Sequence, residues 1–349
     1  MAYDSIRYDR LARYHGLSVD GLARIAETSL AIVGCGGLGG VLISMIARYP
    51  FKRICLIDRD VVEASNLAHQ LLFTPDDAER GVAKAAAAAR YIEAVNPDIE
   101  VRQQFEDLRC ENAGRLLEGS DILLDGLDNF QTRFLVNDWC LKNHIPYIYC
   151  GVVENTCSVK AVVPGVTSCL RCLLPEPPEP GSIRTCDVYG VHLPALAIAA
   201  SLAVDLAIRI VAHGVVAAND VQSLGVLLHI SLDSGRIVQV AAIDASAPNP
   251  ACRACNGHYD YLDGAHADVV EEVCGQEAVA MHVADGFDLD DIAARLSGDF
   301  ETVTNEFLIR AASPDGSVRF LVFRHGRILL EGSSDASKLR SFASRYIGV

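Results

Sequence analysis

Three glycines early in the chain are spaced as they are in turns that bind phosphate groups. Gly34, Gly36 and Gly39 form the pattern G-x-G-x-x-G within "AIVGCGGLGG". The apolar segment at 30–33 predicts a strand before this turn, and residues 38–48 predict a helix after it. In that setting the glycines let the backbone approach a phosphate, and the helix N-terminus supplies N–H donors. The pattern alone does not distinguish NAD or FAD from another phosphate-bearing ligand.

Polar residues that follow the turn favour phosphate chemistry over hydride transfer. Asp58 closes the second predicted strand, where an acidic residue can bind ribose hydroxyls. Asn66 can donate to phosphate oxygens, and Lys84 provides a cation at the start of a helix. Asp128 lies at the carboxyl end of a parallel strand and can hold Mg²⁺. Each residue alone is about as well explained as a turn, surface or capping residue. Their combination favours a nucleotide site.

Two C-x-x-C pairs predict a metal site. Cys169 and Cys172 lie in "SCLRC", and Cys252 and Cys255 lie in "ACRAC". Four thiolates complete the coordination of Zn²⁺, so we interpret the site as structural and expect it to join two distant segments. Two unrelated pairs, or a redox pair, are the alternative. Cys186 in "RTCDVYGV" precedes a long helix, where a thiolate has a lowered pKa. It is a candidate nucleophile, and a loop cysteine with no covalent role is an equal alternative.

Alternating strands and helices must position these groups. The expected strands lie at 30–33, 53–58, 99–105, 121–127 and 146–151, and the expected helices at 38–48, 79–96, 111–118 and 131–144. This alternation predicts an α/β fold: a doubly wound, mostly parallel, Rossmann-like sheet with helices on both faces.

The pattern changes from about Cys157 onwards. An antiparallel strand, a proline-rich loop, a long helix at 193–213 and a hairpin at 226–244 are expected there. After a linker at 256–268 comes a small α+β unit with a helix, two or three strands and a terminal helix. We therefore expect three parts, listed here: a helical arm at 1–28, an ATP-binding domain with the zinc site at 29–258, and a small accessory domain at 268–349.

The composition narrows the classes of function. The 349 residues are 50% hydrophobic and 21% charged, with a net charge of −15. Such an acidic chain is not expected to bind nucleic acid or an anionic membrane. The apolar run at 193–212 is interrupted by Asp205 and Arg209, so we expect no membrane span. The start "MAYDSIRYDR" lacks a signal peptide, which favours a cytoplasmic protein with reduced cysteines.

At this point the sequence resembles the ThiF/MoeB/HesA family, relatives of ubiquitin-activating enzymes. The resemblance covers about residues 7–258. Its motifs are "RYDR", "GCGGLG", "DRDVVEASNL", "GVAKA", "LDNFQTRFLVND", the two cysteine pairs and "TCDVYGV". It implies an ATP-dependent adenylyltransferase that uses MgATP to activate the C-terminal glycine of a ubiquitin-like sulfur-carrier protein ending in Gly-Gly. The acyl adenylate would serve sulfur transfer, for example toward molybdopterin or thiamin.

The resemblance also implies roles for individual residues. Those expected to bind the nucleotide are Gly36, Gly37, Asp58, Asp60, Ser65, Asn66, His69, Gln70, Lys84, Asp128 and Asn129. Asp128 with Asn129 would serve Mg²⁺ and the reacting groups, with Lys84 and Cys186 as further catalytic candidates. Arg10 matches an arginine that reaches the ATP of the partner subunit, which implies a homodimer.

One residue departs from the family pattern. The family usually has arginine where this chain has His69, in "NLAHQ". A histidine is neutral at pH 7 unless its pKa is raised, and it lacks the guanidinium fork. Alternatives therefore stay open: adenylation of a peptide, a ubiquitin-like conjugation enzyme, an NAD-dependent oxidoreductase, or a weakly active scaffold that binds a ubiquitin-like protein. The C-terminal unit lies outside the resemblance, and we expect it to serve docking or dimer contacts.

Overall fold

The main sheet of the protein has eight strands in the order β3-β2-β1-β4-β5-β6-β7-β8. The computed structural model describes residues 4–177, 189–214, 224–233, 236–243, 247–265, 270–272, 278–283 and 286–348. The strands are β1 Ser29–Val33, β2 Arg53–Asp58, β3 Glu100–Phe105, β4 Ile122–Asp125, β5 Tyr147–Val153, β6 Thr156–Val162, β7 Leu227–Asp233 and β8 Arg236–Ile243. Strands β1 to β5 pair in parallel, and β6 to β8 extend the sheet in antiparallel fashion.

Helices cover both faces of this sheet. In order, they are α1 Asp9–Ala12, α2 Ser18–Glu27, α3 Gly37–Ile46, α4 Pro75–Arg80, α5 Lys84–Val95, α6 Ala113–Leu117, α7 Phe130–Asn143, α8 Leu170–Leu173 and α9 Leu193–His213. The alternate residues of β1 divide between two hydrophobic cores: Leu30 and Ile32 pack with α3, α5 and α9, whereas Ala31 and Val33 pack with α6 and α7. The predicted doubly wound fold with an antiparallel second half is confirmed.

The single helix expected at 79–96 was wrong, because the chain forms two helices there. Thr74 caps α4, its side chain accepting from the backbone N–H of Asp77. Gly81 then ends α4 in the left-handed conformation, with φ of 58°, which glycine adopts at low cost. Residues 82 and 83 are extended, and Lys84 begins α5. The break turns Lys84 toward the end of β2, since its N–H donates to the carbonyl of Asp60.

Helix α9 is long and apolar enough to cross a membrane by length and composition alone. It instead packs in the core, against α2, α3, β5 and β6. The core helix of a globular domain passes the same test, so the apolar length of α9 reflects its burial.

A second, antiparallel sheet follows near the C-terminus, in the order β11-β12-β13-β14-β10-β9. The strands are β9 Val270–Glu272, β10 Ala278–His282, β11 Glu301–Thr304, β12 Leu308–Ala312, β13 Arg319–Phe323 and β14 Arg327–Glu331. Only two or three strands were expected here, and that count was wrong. Strand β11 is a mostly exposed edge strand without clear apolar alternation, and β9 has three residues, so neither carries a strong pattern.

This sheet is covered on both faces. Helices α10 (Leu289–Leu296) and α11 (Ala336–Phe342) pack on one face. The other face packs on Val61 and Phe105 of the main domain, through residues such as Leu321, Phe323 and Leu329. The C-terminal sheet therefore lies over the segment that follows β2.

The backbones of three glycines meet where β1 runs into α3. A Cβ at Gly39 would lie 1.9 Å from the carbonyl oxygen of Gly34, and one at Gly126 would lie 2.3 Å from the same oxygen. No side chain fits at such distances, so glycine is required at both positions. The contact holds the turn before α3 against the loop after β4.

We predict that Gly39→Ala destabilises the protein by about 2–3 kcal/mol, because the new methyl group must displace backbone rather than a flexible side chain. Gly40→Ala is the matched control on the same helix, since a Cβ there meets Leu72 at an ordinary 3.4 Å. Urea denaturation of the two variants measures the difference. Equal stabilities would contradict the close contact.

Candidate functional site

The glycine turn presents the N-terminus of a ten-residue helix. Gly36 caps α3, and Gly37 is the first residue of the helix. The first N–H groups of a helix lack partners within it and, together with the helix dipole, favour an anion. A Cβ at Gly37 would lie 3.2 Å from the His69 ring and 3.1 Å from Leu196, so the turn is covered by side chains. The arrangement suits the phosphates of a nucleotide.

Asp58 ties the turn to the end of β2. One carboxylate oxygen accepts from the N–H of Cys35 at 2.6 Å, and the other accepts from the N–H of Asp60 at 2.8 Å. Burial raises the pKa of Asp58 to about 6. Each carboxylate oxygen can accept a second hydrogen bond. Asp58 thus positions the turn and keeps acceptor capacity for a ligand hydroxyl.

Lys84 is the cation at the centre of the site. Its side chain is 11% exposed, and Nζ lies 3.5 Å from Oδ2 of Asp60. Although burial lowers the pKa of Lys84, the charges of Asp60, Asp58 and Asp128 outweigh it and raise that pKa above its usual value. Lys84 is therefore a permanent positive charge among three of the predicted site carboxylates.

A short 3₁₀ segment, Ala64–Ala68, carries the next group of predicted residues. Asn66 closes a capping box, its Oδ1 accepting from the N–H of Glu63 at 3.0 Å. Its Nδ2 lies 3.5 Å from Ser65 Oγ. The amide of Asn66 therefore holds the shape of the segment and faces Ser65, so the two residues lie together.

His69 and Gln70 follow this segment and lie against the glycine turn. Burial and the charge of Lys84 lower the pKa of His69, so its ring is neutral at pH 7. Gln70 is 6% exposed, and a Cβ at Gly36 would meet its amide at 3.6 Å. Its buried Oε1 has no hydrogen-bond partner among the described residues. A buried acceptor without a partner is costly, which favours a ligand donor at this position.

The loop after β4 holds Asp128 and Asn129. Asp128 is exposed, and it accepts from the amide of Asn129 at 3.2 Å. The Oδ1 of Asn129 caps α7 by accepting from the N–H of Thr132 at 2.9 Å. An exposed carboxylate at this sheet edge is the donor type that Mg²⁺ prefers, so Asp128 fits the predicted ion. Asn129 shapes the loop that presents it.

Sequence reasoning missed a buried network beneath this loop. Arg133 donates to Asp125 at 3.2 Å, to the carbonyl of Cys150 at 2.9 Å and to the carbonyl of Leu127. Asp125 also accepts from the hydroxyl of Tyr147 at 2.5 Å. These contacts fix both ends of the loop that carries Asp128. Arg133 lies within the quoted motif "LDNFQTR", and that motif was the only available signal.

Two predicted residues are not brought to this site. Arg10 is exposed on α1, which packs against α2, and within the described residues it makes no contact with the groups around the glycine turn. Its expected role lies in a partner subunit. Cys186 lies outside the described residues.

The four predicted cysteine ligands meet in one cluster. Their sulfur atoms all lie within 4.8 Å of one another, with 3.7 Å between Cys169 and Cys172, 3.7 Å between Cys169 and Cys252, and 3.5 Å between Cys172 and Cys255. These separations exceed a disulfide bond. They fit tetrahedral coordination, in which a metal–sulfur distance of about 2.3 Å places the sulfurs about 3.8 Å apart. The N–H of Asn249 donates to Cys172 at 3.3 Å, as expected for a thiolate.

The cluster is attached to α7 through buried polar groups. Asn137 accepts from the N–H of Leu170 at 2.9 Å, and Asp138 accepts from the N–H of Tyr261 at 3.0 Å. Arg171, between the first two cysteines, lies 3.7 Å from Asp138. A metal at the cysteines would therefore also support the helix that begins at the Asp128 loop.

Comparison with known proteins gives consistent matches. The model of the ThiF family matches residues 8–254. The sulfur carrier protein ThiS adenylyltransferase of Bacillus subtilis is 31% identical over 346 residues, covering 98% of this chain and 99% of that protein. The sulfur carrier protein adenylyltransferase of Thermus thermophilus is 34% identical over 202 residues, 54% of this chain and 73% of that protein.

Solved structures share the fold. The crystal structure of E. coli MccB with MccA-N7isoASN superposes with a TM-score of 0.61 at 21% identity, covering 72% of this chain and 76% of that one.

We predict that Cys169→Ser removes a bound metal ion from the purified protein and lowers its thermal stability, because the remaining thiolates cannot complete the tetrahedral site. Elemental analysis and thermal denaturation measure the two effects. Cys110→Ser, half-buried and outside the cluster, is the control and should keep the metal. A wild-type protein that carries no metal and melts identically with a chelator would overturn the prediction.

Proposed function

The chain belongs to the ThiF family, and from this premise we propose that it is an ATP-dependent adenylyltransferase that activates the C-terminal glycine of a ubiquitin-like sulfur-carrier protein. The observation that carries the proposal is the end-to-end similarity to an enzyme named for this reaction, over 98% of this chain. The matched chain includes the C-terminal sheet. A scaffold or an oxidoreductase is less consistent with that similarity.

The proposed reaction forms one bond and breaks another at the α-phosphorus of ATP. A carboxylate oxygen of the terminal glycine attacks this phosphorus, and pyrophosphate leaves with the electron pair of the broken P–O bond. Both reactants are anionic, so positioning and charge neutralisation lower the barrier more than a protein nucleophile could. The product is an acyl adenylate, which a sulfur donor can convert to a thiocarboxylate.

Residues around the glycine turn take complementary roles in this proposal. The N-terminus of α3 and Lys84 neutralise the phosphates, and Asp58 accepts from a ribose hydroxyl. Asp128 would hold Mg²⁺, which supplies additional charge neutralisation at the phosphates when bound. Asp60, Ser65, Asn66, His69, Gln70 and Asn129 complete the nucleotide site.

Further features of the proposal concern assembly and metal. We infer that the four cysteines hold structural Zn²⁺ and that the protein is a cytoplasmic homodimer, in which Arg10 reaches the site of the partner. The exposure of Arg10 on α1 is compatible with that role. We also propose three parts, a helical arm at 1–28, a catalytic domain at 29–258 and a small domain at 268–349. The two separate sheets support the last division.

ATP–pyrophosphate exchange tests the reaction directly. Purified protein with Mg²⁺ should exchange label from pyrophosphate into ATP only when one small protein with a Gly-Gly terminus is added. Asp128→Ala should reduce this exchange at least about 100-fold, because an essential charge at the phosphates is lost. Asp205→Ala, an exposed carboxylate on α9, is the matched control and should leave the rate unchanged. Exchange with a short peptide instead of a carrier would favour the peptide alternative, and no exchange with any partner would favour the scaffold.

We predict that His69→Arg lowers the KM for ATP about five- to tenfold. The present ring is neutral and lies beside Gly37, whereas a guanidinium would add a charged hydrogen bond worth about 1 kcal/mol more than a neutral one. His69→Gln, a neutral replacement, should leave KM close to the wild-type value. Steady-state exchange rates at varied ATP measure both. An unchanged KM in His69→Arg would show that Lys84 already supplies the charge that the site needs.

A further inference from the structure

The C-terminal sheet contacts both backbone segments that present the central cation of the nucleotide site. His325 Nε2 lies 3.1 Å from the carbonyl of Arg59, in the segment after β2. Asn305 donates to the carbonyls of Arg80 and Gly81, at 2.7 and 3.2 Å, in the turn before α5. Lys84 stands between these segments, so the position of the sheet is linked to the position of its amine.

An ion pair crosses this interface at the first residue of β14. Arg327, whose side chain is 5% exposed, places Nη1 3.2 Å from Oδ1 of Asp60. Lys84 approaches the other oxygen of the same carboxylate, Oδ2, at 3.5 Å. Two cations, one from each sheet, therefore share one carboxylate.

The sharing matters once a nucleotide binds. A Lys84 that turns toward a phosphate weakens its contact with Asp60, and a largely enclosed carboxylate without a cation is costly. Arg327 keeps Asp60 paired during that change, because its guanidinium holds the opposite oxygen. Without Arg327, Asp60 depends more strongly on Lys84 and retains it.

We propose that Arg327 is a positioning residue for nucleotide binding: it neutralises Asp60 and so releases the amine of Lys84 to the phosphates of ATP. The inference rests on the proposed function for the identity of the ligand. It gives the C-terminal sheet a role in the nucleotide site itself, in addition to any docking role.

Binding of ATP to the free protein, measured by isothermal titration calorimetry, tests this without requiring turnover. Arg327→Met keeps much of the apolar stem and removes the charge, and we expect it to weaken ATP binding about tenfold. Arg327→Lys restores a cation and should recover most of the affinity. Arg319→Met is the matched control, since Arg319 is 66% exposed on the same sheet and pairs with Glu331 at 2.9 Å. It should bind ATP as the wild type does.

A double variant separates positioning from packing. If Arg327 acts through Asp60, adding Asp60→Asn to Arg327→Met removes the charge that retains Lys84, and ATP affinity should return toward the wild-type value. Thermal denaturation of each variant checks folding. Wild-type affinity in Arg327→Met, or a double variant that binds no better than Arg327→Met, would overturn the inference. ATP binding that follows the expected pattern without any pyrophosphate exchange would instead count against the proposed function alone.

Discussion

The site depends on the contact between glycine backbones where β1 runs into α3. Since a Cβ at Gly39 or Gly126 would overlap the carbonyl of Gly34, the turn and the loop after β4 can meet only as bare backbone. That meeting sets the N-terminus of α3 beside the loop of Asp128. An anion-binding helix end and an exposed carboxylate thereby share one sheet edge, where ligands of open α/β sheets bind.

Charge is the second constraint, because the chain is acidic and its site is more so. Asp58, Asp60 and Asp128 surround the amine of Lys84, and their charges raise its pKa. Such a group of partly buried carboxylates stays ionised only if cations are nearby. The C-terminal sheet brings Arg327 to Asp60, so the electrostatics of the main domain involve a segment far away in the sequence.

Helix α7 connects the reacting end of the sheet with the cysteine cluster. At its start, Arg133 pairs with Asp125 beneath the Asp128 loop. In its middle, Asn137 and Asp138 accept from backbone N–H groups close to the two cysteine pairs. A closed four-thiolate site can thus contribute to the geometry of the nucleotide site without touching a ligand, by holding one helix in place.

The sequence by itself determined the elements with strong local patterns. Strand β2 and helix α9 have the predicted bounds, and the glycine and cysteine spacings named the turn and the metal cluster, because each signal lies within a few consecutive residues. Most predicted nucleotide-site residues belong to the same motifs. Only the tertiary structure decided that the helix at 79–96 breaks at Gly81, and that the C-terminal sheet has six strands. It alone placed Arg327 at Asp60, because that contact joins residues remote in sequence and no local pattern records it.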